Sequence, residues 1–258
     1  MSLVLLTGAA GAIGTALRER LPAHGWALRS FDRVATPDGV AGDITSATDL
    51  DAALDGVSAI VHLAGQPIEA PWPVIREANI EGTFQVFEAA RRAGVRRVVY
   101  ASSNHAAGFT PTGREQPADL PPRPDTLYGV SKVFGEALGR YYVDRYAMQV
   151  ACLRIGTFEP RPAHVRSLST WLSPDDCARL VDACLRATAL DYAIVWGVSA
   201  NTRRTWSLDA GRALGYEPQD DAEAYAGEVD TSTHPSDALL GGGFTSEGFG
   251  IDEVAARW

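Results

Sequence analysis

Tyr128 and Lys132 stand four residues apart in Tyr128-Gly129-Val130-Ser131-Lys132. That interval places both side chains on one face of a helix, where a fixed ammonium favours the ionised form of a nearby phenol. A phenol near its free pKa of roughly 10 is a poor base at neutral pH, so such a neighbour is what would let Tyr128 take a proton. Ser103, closing the apolar run that ends Ser102-Ser103, is a hydroxyl able to hold the alcohol whose proton leaves. Alone, each feature also suits a surface helix or a strand-end cap. Together they describe base catalysis on a hydroxyl group.

A second motif gives that chemistry a partner. Thr7-Gly8-Ala9-Ala10-Gly11-Ala12-Ile13-Gly14 lies directly after an apolar run and opens an amphipathic one. Gly8 permits a tight turn, Gly11 admits a pyrophosphate to the backbone, and Gly14 allows close helix–sheet contact. The helix start, with Ala12 and Ile13, offers amides to the anion. Asp32, ending the second apolar run, can accept hydrogen bonds from an adenosine ribose diol and repels a 2′-phosphate. This favours NAD, while Arg33 leaves some tolerance of NADP. Asp43 and Ile44, at the end of a presumed third strand, fit either an adenine contact or an Asp-rich loop.

These groups need elements to position them. Apolar runs at residues 3–7, 27–31, 59–63, 97–102, 150–154 and 193–196 alternate with helical stretches at 12–24, 72–93 and 128–146, the second stopped by Gly94. Runs that are apolar throughout imply burial on both faces, which predicts a doubly wound, Rossmann-like α/β fold with a parallel sheet. The segment from Pro111 to Pro124 reads as a surface loop. After Gly156 the alternation weakens, Pro160, Pro162 and Pro174 interrupt it, and Gly241-Gly242-Gly243 looks loose. The expectation is a single domain, 1–258, in which 1–155 mainly binds NAD and 156–258 forms a small C-terminal substrate lobe.

The glycine motif, the serine and the Tyr-x-x-x-Lys pair resemble the extended short-chain dehydrogenase/reductase family over essentially the whole chain. In that resemblance His62-Leu63-Ala64-Gly65 matches the segment beside the cofactor after the fourth strand. His62 itself reads as core. Asn79, with Gly82-Thr83, matches the helix-borne asparagine that supports a proton relay. Ala101 and Ile155 complete the cofactor contacts that the resemblance implies. A narrower resemblance, to the uronate dehydrogenases, rests on five segments. They are Ala101-Ser-Ser-Asn-His-Ala-Ala-Gly108, Leu127-Tyr-Gly-Val-Ser-Lys132, Arg154-Ile-Gly156, Leu168-Ser-Thr-Trp-Leu-Ser173 and Val195-Trp-Gly-Val-Ser-Ala-Asn201.

This narrower resemblance implies NAD-dependent oxidation of the anomeric carbon of glucuronate or galacturonate to an aldarolactone. It also implies that Arg166 holds the carboxylate, a task suited to its bidentate fork, with Arg161, Arg203 and Arg204 as competitors. Asn104 and His105 follow the serine and can reach sugar hydroxyls, and Thr157 can add another. Two departures stand out: Gln66-Pro67-Ile68 lacks the group's serine near Pro67, so Gln66 inherits that contact, and Thr157-Phe158 replaces a Ser-Cys pair. A nucleotide-sugar epimerase or dehydratase shares every cofactor motif, and a noncatalytic NAD-sensing protein shares the fold.

Composition bounds the partners. The 258 residues carry a net charge of −9, with no continuous basic stretch, which argues against nucleic acid and anionic membrane surfaces. No apolar run approaches the roughly 18 to 20 residues of a membrane helix, so a cytoplasmic protein is expected. Cys152, Cys177 and Cys184 form no CxxC pair, no metal site is expected, and the last two share a helical face, which suits buried packing. Pairing of copies into a homo-oligomer is expected through the long helices that contain Glu88 and Tyr141.

Overall fold

The computed structural model describes residues 2–37, 39–231 and 238–258. Among these residues the strands are β1 (Leu3–Thr7), β2 (Ala27–Asp32), β3 (Val40–Ala41), β4 (Ala59–His62), β5 (Arg97–Ser103), β6 (Gln149–Ile155), β7 (Thr157–Phe158), β8 (Trp171–Leu172) and β9 (Tyr192–Gly197). Seven of them form one sheet in the order β3-β2-β1-β4-β5-β6-β9, every neighbouring pair parallel, while β7 and β8 pair separately. The chain winds outward from β1 to β3, then returns to the other side of β1 to lay down β4. That reversal opens a crevice beyond the carboxyl ends of β1 and β4, where open α/β sheets bind ligands.

The helices are α1 (Ala12–Arg20), α2 (Ala47–Ala53), α3 (Trp72–Ile75), α4 (Gly82–Ala93), α5 (Leu127–Tyr146), α6 (Ser167–Thr170), α7 (Pro174–Arg186), α8 (Asp209–Ala213) and α9 (Ile251–Ala255). Successive strand residues point to opposite faces, so β1 sends Val4 and Leu6 into one core and Leu5 into the other. The first core packs Leu17 of α1 and Leu180, Val181 and Cys184 of α7; the second packs Leu50 of α2, Phe87 of α4 and Tyr142 of α5. All three cysteines are free and buried. No helix of the described residues is long and apolar enough to cross a membrane.

The expected elements are present with instructive differences. The helix expected over 12–24 becomes 3-10 after Arg20, where Pro22 removes a donor. The stretch 72–93 is interrupted by a π-helical segment, Arg76–Glu81, which carries Asn79. The third strand holds only Val40 and Ala41, so Asp43 and Ile44 lie past its end rather than in it. Pro174 is a helix start: Ser173 caps α7, its hydroxyl accepting from the Asp176 amide, and proline fits the first helical position because its missing N–H is not needed there. Both α7 and β9 come from after Gly156 and complete the main sheet and its covering layer.

The proline-rich segment is not wholly at the surface: Gln116 and Ala118 are buried. Arg154 of β6, itself fully buried, donates to the carbonyls of Ala118 (3.1 Å) and Leu120 (3.0 Å), and the Trp196 indole donates to that of Gln116 (3.0 Å). The same guanidinium makes a bidentate pair with Glu136 of α5, both bonds 2.8 Å, and the Ser102 hydroxyl donates to Glu136 at 2.6 Å. One buried ion pair therefore ties β5, β6, α5 and the loop together just beneath Ser103.

Candidate active site

A cleft of about 750 Å³ runs from Asp32 and Asp43 past the glycine loop to Ser103, His105, Tyr128 and Phe244. Its nucleotide end is set by backbone geometry. Gly8 has φ 72°, and a Cβ there would sit 2.7 Å from the Ala64 amide nitrogen; one on Gly14 would sit 2.2 Å from the Gly8 carbonyl oxygen. Only glycine lets the turn lie against the Leu63–Ala64 backbone and α1 close on the turn. Thr15 is the first residue of α1 whose amide reaches back, to the Gly11 carbonyl at 2.8 Å, so the amides of Ala12, Ile13 and Gly14 belong to the first turn, which has no intrahelical acceptors. The Asp32 carboxylate accepts from the amides of Ala10 (2.9 Å) and Val34 (3.0 Å), anchoring the loop to the end of β2. Asp43 accepts from the Thr45 amide and hydroxyl, both at 2.8 Å, while it and the buried Ile44 line the cleft.

Two polar relays fix the middle of the cleft. The Thr7 hydroxyl meets His62 Nδ1 at 2.8 Å, and His62 Nε2 lies 3.3 Å from the Thr83 hydroxyl. Burial first, and the Lys132 charge second, push His62 down to about 3, so it is a neutral bridge between β1, β4 and α4. Asn79 accepts from the Gln66 amide (2.6 Å) and donates to the Gln66 carbonyl (3.1 Å) and the Ser131 hydroxyl (2.9 Å). Its side chain is a clamp between the Gly65–Gln66 turn and α5, and it does not line the cleft.

Tyr128 and Lys132, the groups whose types suit proton transfer, sit at the start of α5. Thr126 caps the helix by accepting from the Gly129 amide (3.0 Å), and the buried carboxylate of Glu69 accepts from the Tyr128 amide (2.6 Å). Burial pushes Glu69 above the usual carboxylate range against those amide bonds. Burial pushes the Tyr128 phenol up to about 12, outweighing the opposing pull of the Ser103 hydroxyl. Lys132 lies 5.3 Å from the Tyr128 ring centre and donates to the Ala101 carbonyl at 2.9 Å, and burial pushes its ammonium down to about 8. Tyr128 and Lys132 share a face as their spacing requires. Desolvation, which the spacing does not reveal, dominates both ionisations.

The substrate end is assembled from distant segments. Gln66, Ser103, Asn104, His105 and Tyr128 line it, together with Ala101, Ile155, Phe158, which the sequence marks only as a departure, and Phe244, which it does not mark. Asn104 donates to the Leu240 carbonyl (3.0 Å), and His105 Nδ1 lies 2.8 Å from the buried Asp125 carboxylate. Thr157 and Arg166 do not line the cleft. The Thr157 hydroxyl is bonded to that of Thr170 (2.7 Å), and Arg166 donates to the same Leu240 carbonyl that Asn104 uses (2.5 Å).

Arg203 pairs with Glu223 (2.7 Å), Arg161 approaches Glu228 (3.9 Å), and Arg204 donates to the Asn201 carbonyl (3.1 Å), all away from the cleft lining. Of the glycines at 241–243, Gly241 and Gly242 are close-packed, not loose. A Cβ on Gly241 would lie 1.8 Å from Asp125 Oδ2, and one on Gly242, where φ is 57°, 2.7 Å from Arg166 Nε. Read as a sign of close approach, that run could have pointed to Phe244 just beyond it.

Residues 4–172 match the model of the NAD dependent epimerase/dehydratase family. The chain is 41% identical over 243 residues to a uronate dehydrogenase of Agrobacterium fabrum, with 92% of each chain covered. It is 40% identical over 252 residues to an NAD-dependent glucose-6-phosphate dehydrogenase of Haloferax volcanii, covering 87% of this chain and 96% of that one. Its fold superposes, with a TM-score of 0.88 and 39% identity over 95% of this chain and 97% of the other, on a single-residue mutant of Agrobacterium tumefaciens uronate dehydrogenase crystallised with NAD.

Proposed function

Because this chain belongs to the NAD dependent epimerase/dehydratase family, we infer that it is an NAD-dependent dehydrogenase oxidising the anomeric carbon of a free hexuronate, glucuronate or galacturonate, to the aldarolactone. The observation that carries the substrate is the 41% identity to a uronate dehydrogenase along 92% of both chains. The cleft supports it by joining a nucleotide-binding end to a buried phenol in one space.

The residues fit NAD. The amides of Ala12, Ile13 and Gly14 would face the pyrophosphate, Asp32 the adenosine ribose, Asp43 and Ile44 the adenine, and Leu63, Ala64, Gly65, Ala101 and Ile155 the nicotinamide half. When bound, NAD supplies the acceptor for the hydride that leaves the anomeric carbon. Tyr128 takes the proton of the anomeric hydroxyl, Ser103 holds that hydroxyl by a hydrogen bond, and the carbon–oxygen bond becomes the lactone carbonyl. Lys132 places a cation beside the phenol and fixes the end of β5 through Ala101. Gln66, Asn104 and His105 hold ring hydroxyls. Arg166 and Thr157, outside the cleft lining, act on the substrate side through the Leu240 carbonyl and the Thr170 hydroxyl that they bond. The exposed aromatic rings of Phe84, Tyr141 and Tyr146 on α4 and α5 supply the face on which two copies pair, which sedimentation of the purified protein checks.

A second reading keeps the reaction and changes the sugar, because a glucose-6-phosphate dehydrogenase is 40% identical. NADH absorbance after mixing protein and NAD with glucuronate, galacturonate, glucose 6-phosphate, L-arabinose or a nucleotide-linked glucuronate separates the two. Signal with the free uronates alone supports the first reading, and signal with glucose 6-phosphate alone replaces it by the second. Turnover without released NADH would point to an epimerase. Silence with every sugar would leave a protein that binds NAD without this chemistry.

A further inference from the structure

Asp125 has no part in the roles above, yet its surroundings are those of a group built in. Its side chain is 0% exposed, Oδ2 lies 2.8 Å from Nδ1 of His105, and Oδ1 accepts from the Thr126 hydroxyl at 3.0 Å. Three glycines from separate segments close around the carboxylate. A Cβ on Gly108 would lie 2.0 Å from Oδ2, on Gly241 1.8 Å from Oδ2, and on Gly129 3.2 Å from Oδ1. The turn after β5 and the C-terminal segment thus each lack a side chain where this carboxylate needs the room, while at Gly129 the nearer obstacle is the His105 carbonyl oxygen, 2.4 Å from such a Cβ.

Burying a carboxylate is costly unless it is paired, so its partner is the informative feature. A carboxylate accepts, so Nδ1 of His105 carries the hydrogen, and the neutral form of a ring held this way has Nε2 as its acceptor. His105 lines the cleft, sits edge-on to Tyr128 at 5.9 Å between ring centres, and packs against Phe244 at 4.3 Å. The ring is therefore held on two sides by aromatic groups and at one nitrogen by Asp125. Glu69, the other buried carboxylate nearby, is committed to the Tyr128 amide and does not compete for it.

We propose that Asp125 is a positioning residue that fixes the tautomer and orientation of His105, so that Nε2 accepts a hydrogen bond from a sugar hydroxyl within reach of Tyr128. This deepens the sugar-oxidising reading and rests on it. The dyad discriminates among substrates by hydroxyl geometry, independently of how the carboxylate is held.

The test is a cycle of the wild type, D125N, H105A and the double variant. It reads kcat and KM for glucuronate and galacturonate, NAD binding by protein fluorescence, and Tm. Asparagine can present an amide N–H to the ring and reverse its tautomer, so D125N should raise KM about tenfold with NAD affinity unchanged, and should add almost nothing in the H105A background. An equal loss in both backgrounds overturns the proposal, as does wild-type kinetics in D125N. A ¹⁵N spectrum of the wild-type histidines, independent of both folding of the variants and identity of the sugar, decides the same point. Hydrogen on Nδ1 of His105 supports the dyad, and hydrogen on Nε2 overturns it. Absence of uronate turnover by the wild type would remove the substrate reading and leave that tautomer measurement standing.

Discussion

The two ends of the cleft are built by opposite strategies. The nucleotide end is local: Gly8 through Gly14 and Asp32 belong to one strand–helix–strand unit, and its contacts are amides whose positions follow from the turn itself. The substrate end draws on Gln66, Asn104, His105, Tyr128, Phe158 and Phe244, brought together by the buried Arg154–Glu136 pair and the Asp125–His105 pair. A binding site made of backbone needs few particular side chains. A site made of converging side chains depends on whatever holds its segments together.

The sharpest break between the ends should come from Tyr128→Phe. Removing the proposed base should lower kcat about 10³-fold, within the range for general base catalysis, while NAD affinity by fluorescence titration stays within about twofold. Loss of NAD binding in that variant would show that the two ends are not separable.

Next in size is Glu136→Gln, which leaves the Arg154 charge buried with half its partner. An unpaired buried charge costs about 3 to 5 kcal/mol, seen as a large fall in Tm, and the Ala118–Leu120 loop should loosen with it. Any folded fraction at low temperature should show a raised KM for the sugar before a raised Kd for NAD. Replacing Glu136 and Arg154 together by apolar residues of similar volume should recover most of the stability.

Lys132→Met separates stability from activity. Burial brings the Lys132 ammonium from its ordinary 10.5 to about 8, so between those values the unfolded chain binds more protons and stability rises with pH. Below pH 8 the charge is carried in both states and the penalty is complete. The variant should therefore be inactive yet more stable than wild type by about 1 to 3 kcal/mol near pH 7, after allowing for the lost bond to Ala101, with the gain shrinking as pH rises from 8 toward 10.5. Equal Tm differences at pH 7 and pH 10 would sink this account.

What could be read from sequence follows the same division. The parallel sheet, the glycine loop, Asp32 and the Ser103–Tyr128–Lys132 group were legible because each is a short pattern whose geometry is set by its own helix or strand. Asp125, Glu69 and Phe244 were not, because isolated acids and a phenylalanine near the chain end carry no periodicity, and only tertiary contact puts them beside Tyr128 and His105. Arg166 shows the limit of motif transfer. The residue was identifiable by its neighbours Leu168-Ser169-Thr170-Trp171, but its place behind the Leu240 carbonyl depends on a segment 74 residues later. The shared face of Cys177 and Cys184 indicates a helix where α7 lies, but its start is obscured because Pro174 reads as an interruption, although Ser173 before it and Asp175-Asp176 after it mark a helix start.

The smallest effect expected is the cleanest test of locality. Asp32→Ala removes the carboxylate that accepts from Ala10 and Val34 and that would repel a 2′-phosphate. The loop keeps its glycine turn, its anchor from the Gly8 amide to the Phe31 carbonyl (3.0 Å) and the first-turn amides of α1. The loss should therefore be confined to the ribose contact: KM for NAD up about tenfold, equivalent to about 1.4 kcal/mol, and a relative gain for NADP, with KM for the sugar unmoved. Measuring both cofactors at saturating uronate, then uronate at saturating NAD, separates the terms. A rise in the uronate KM of the same size would mean that Asp32 communicates through the loop to Ala64 and Gln66, and that the nucleotide end is less self-contained than its backbone geometry implies.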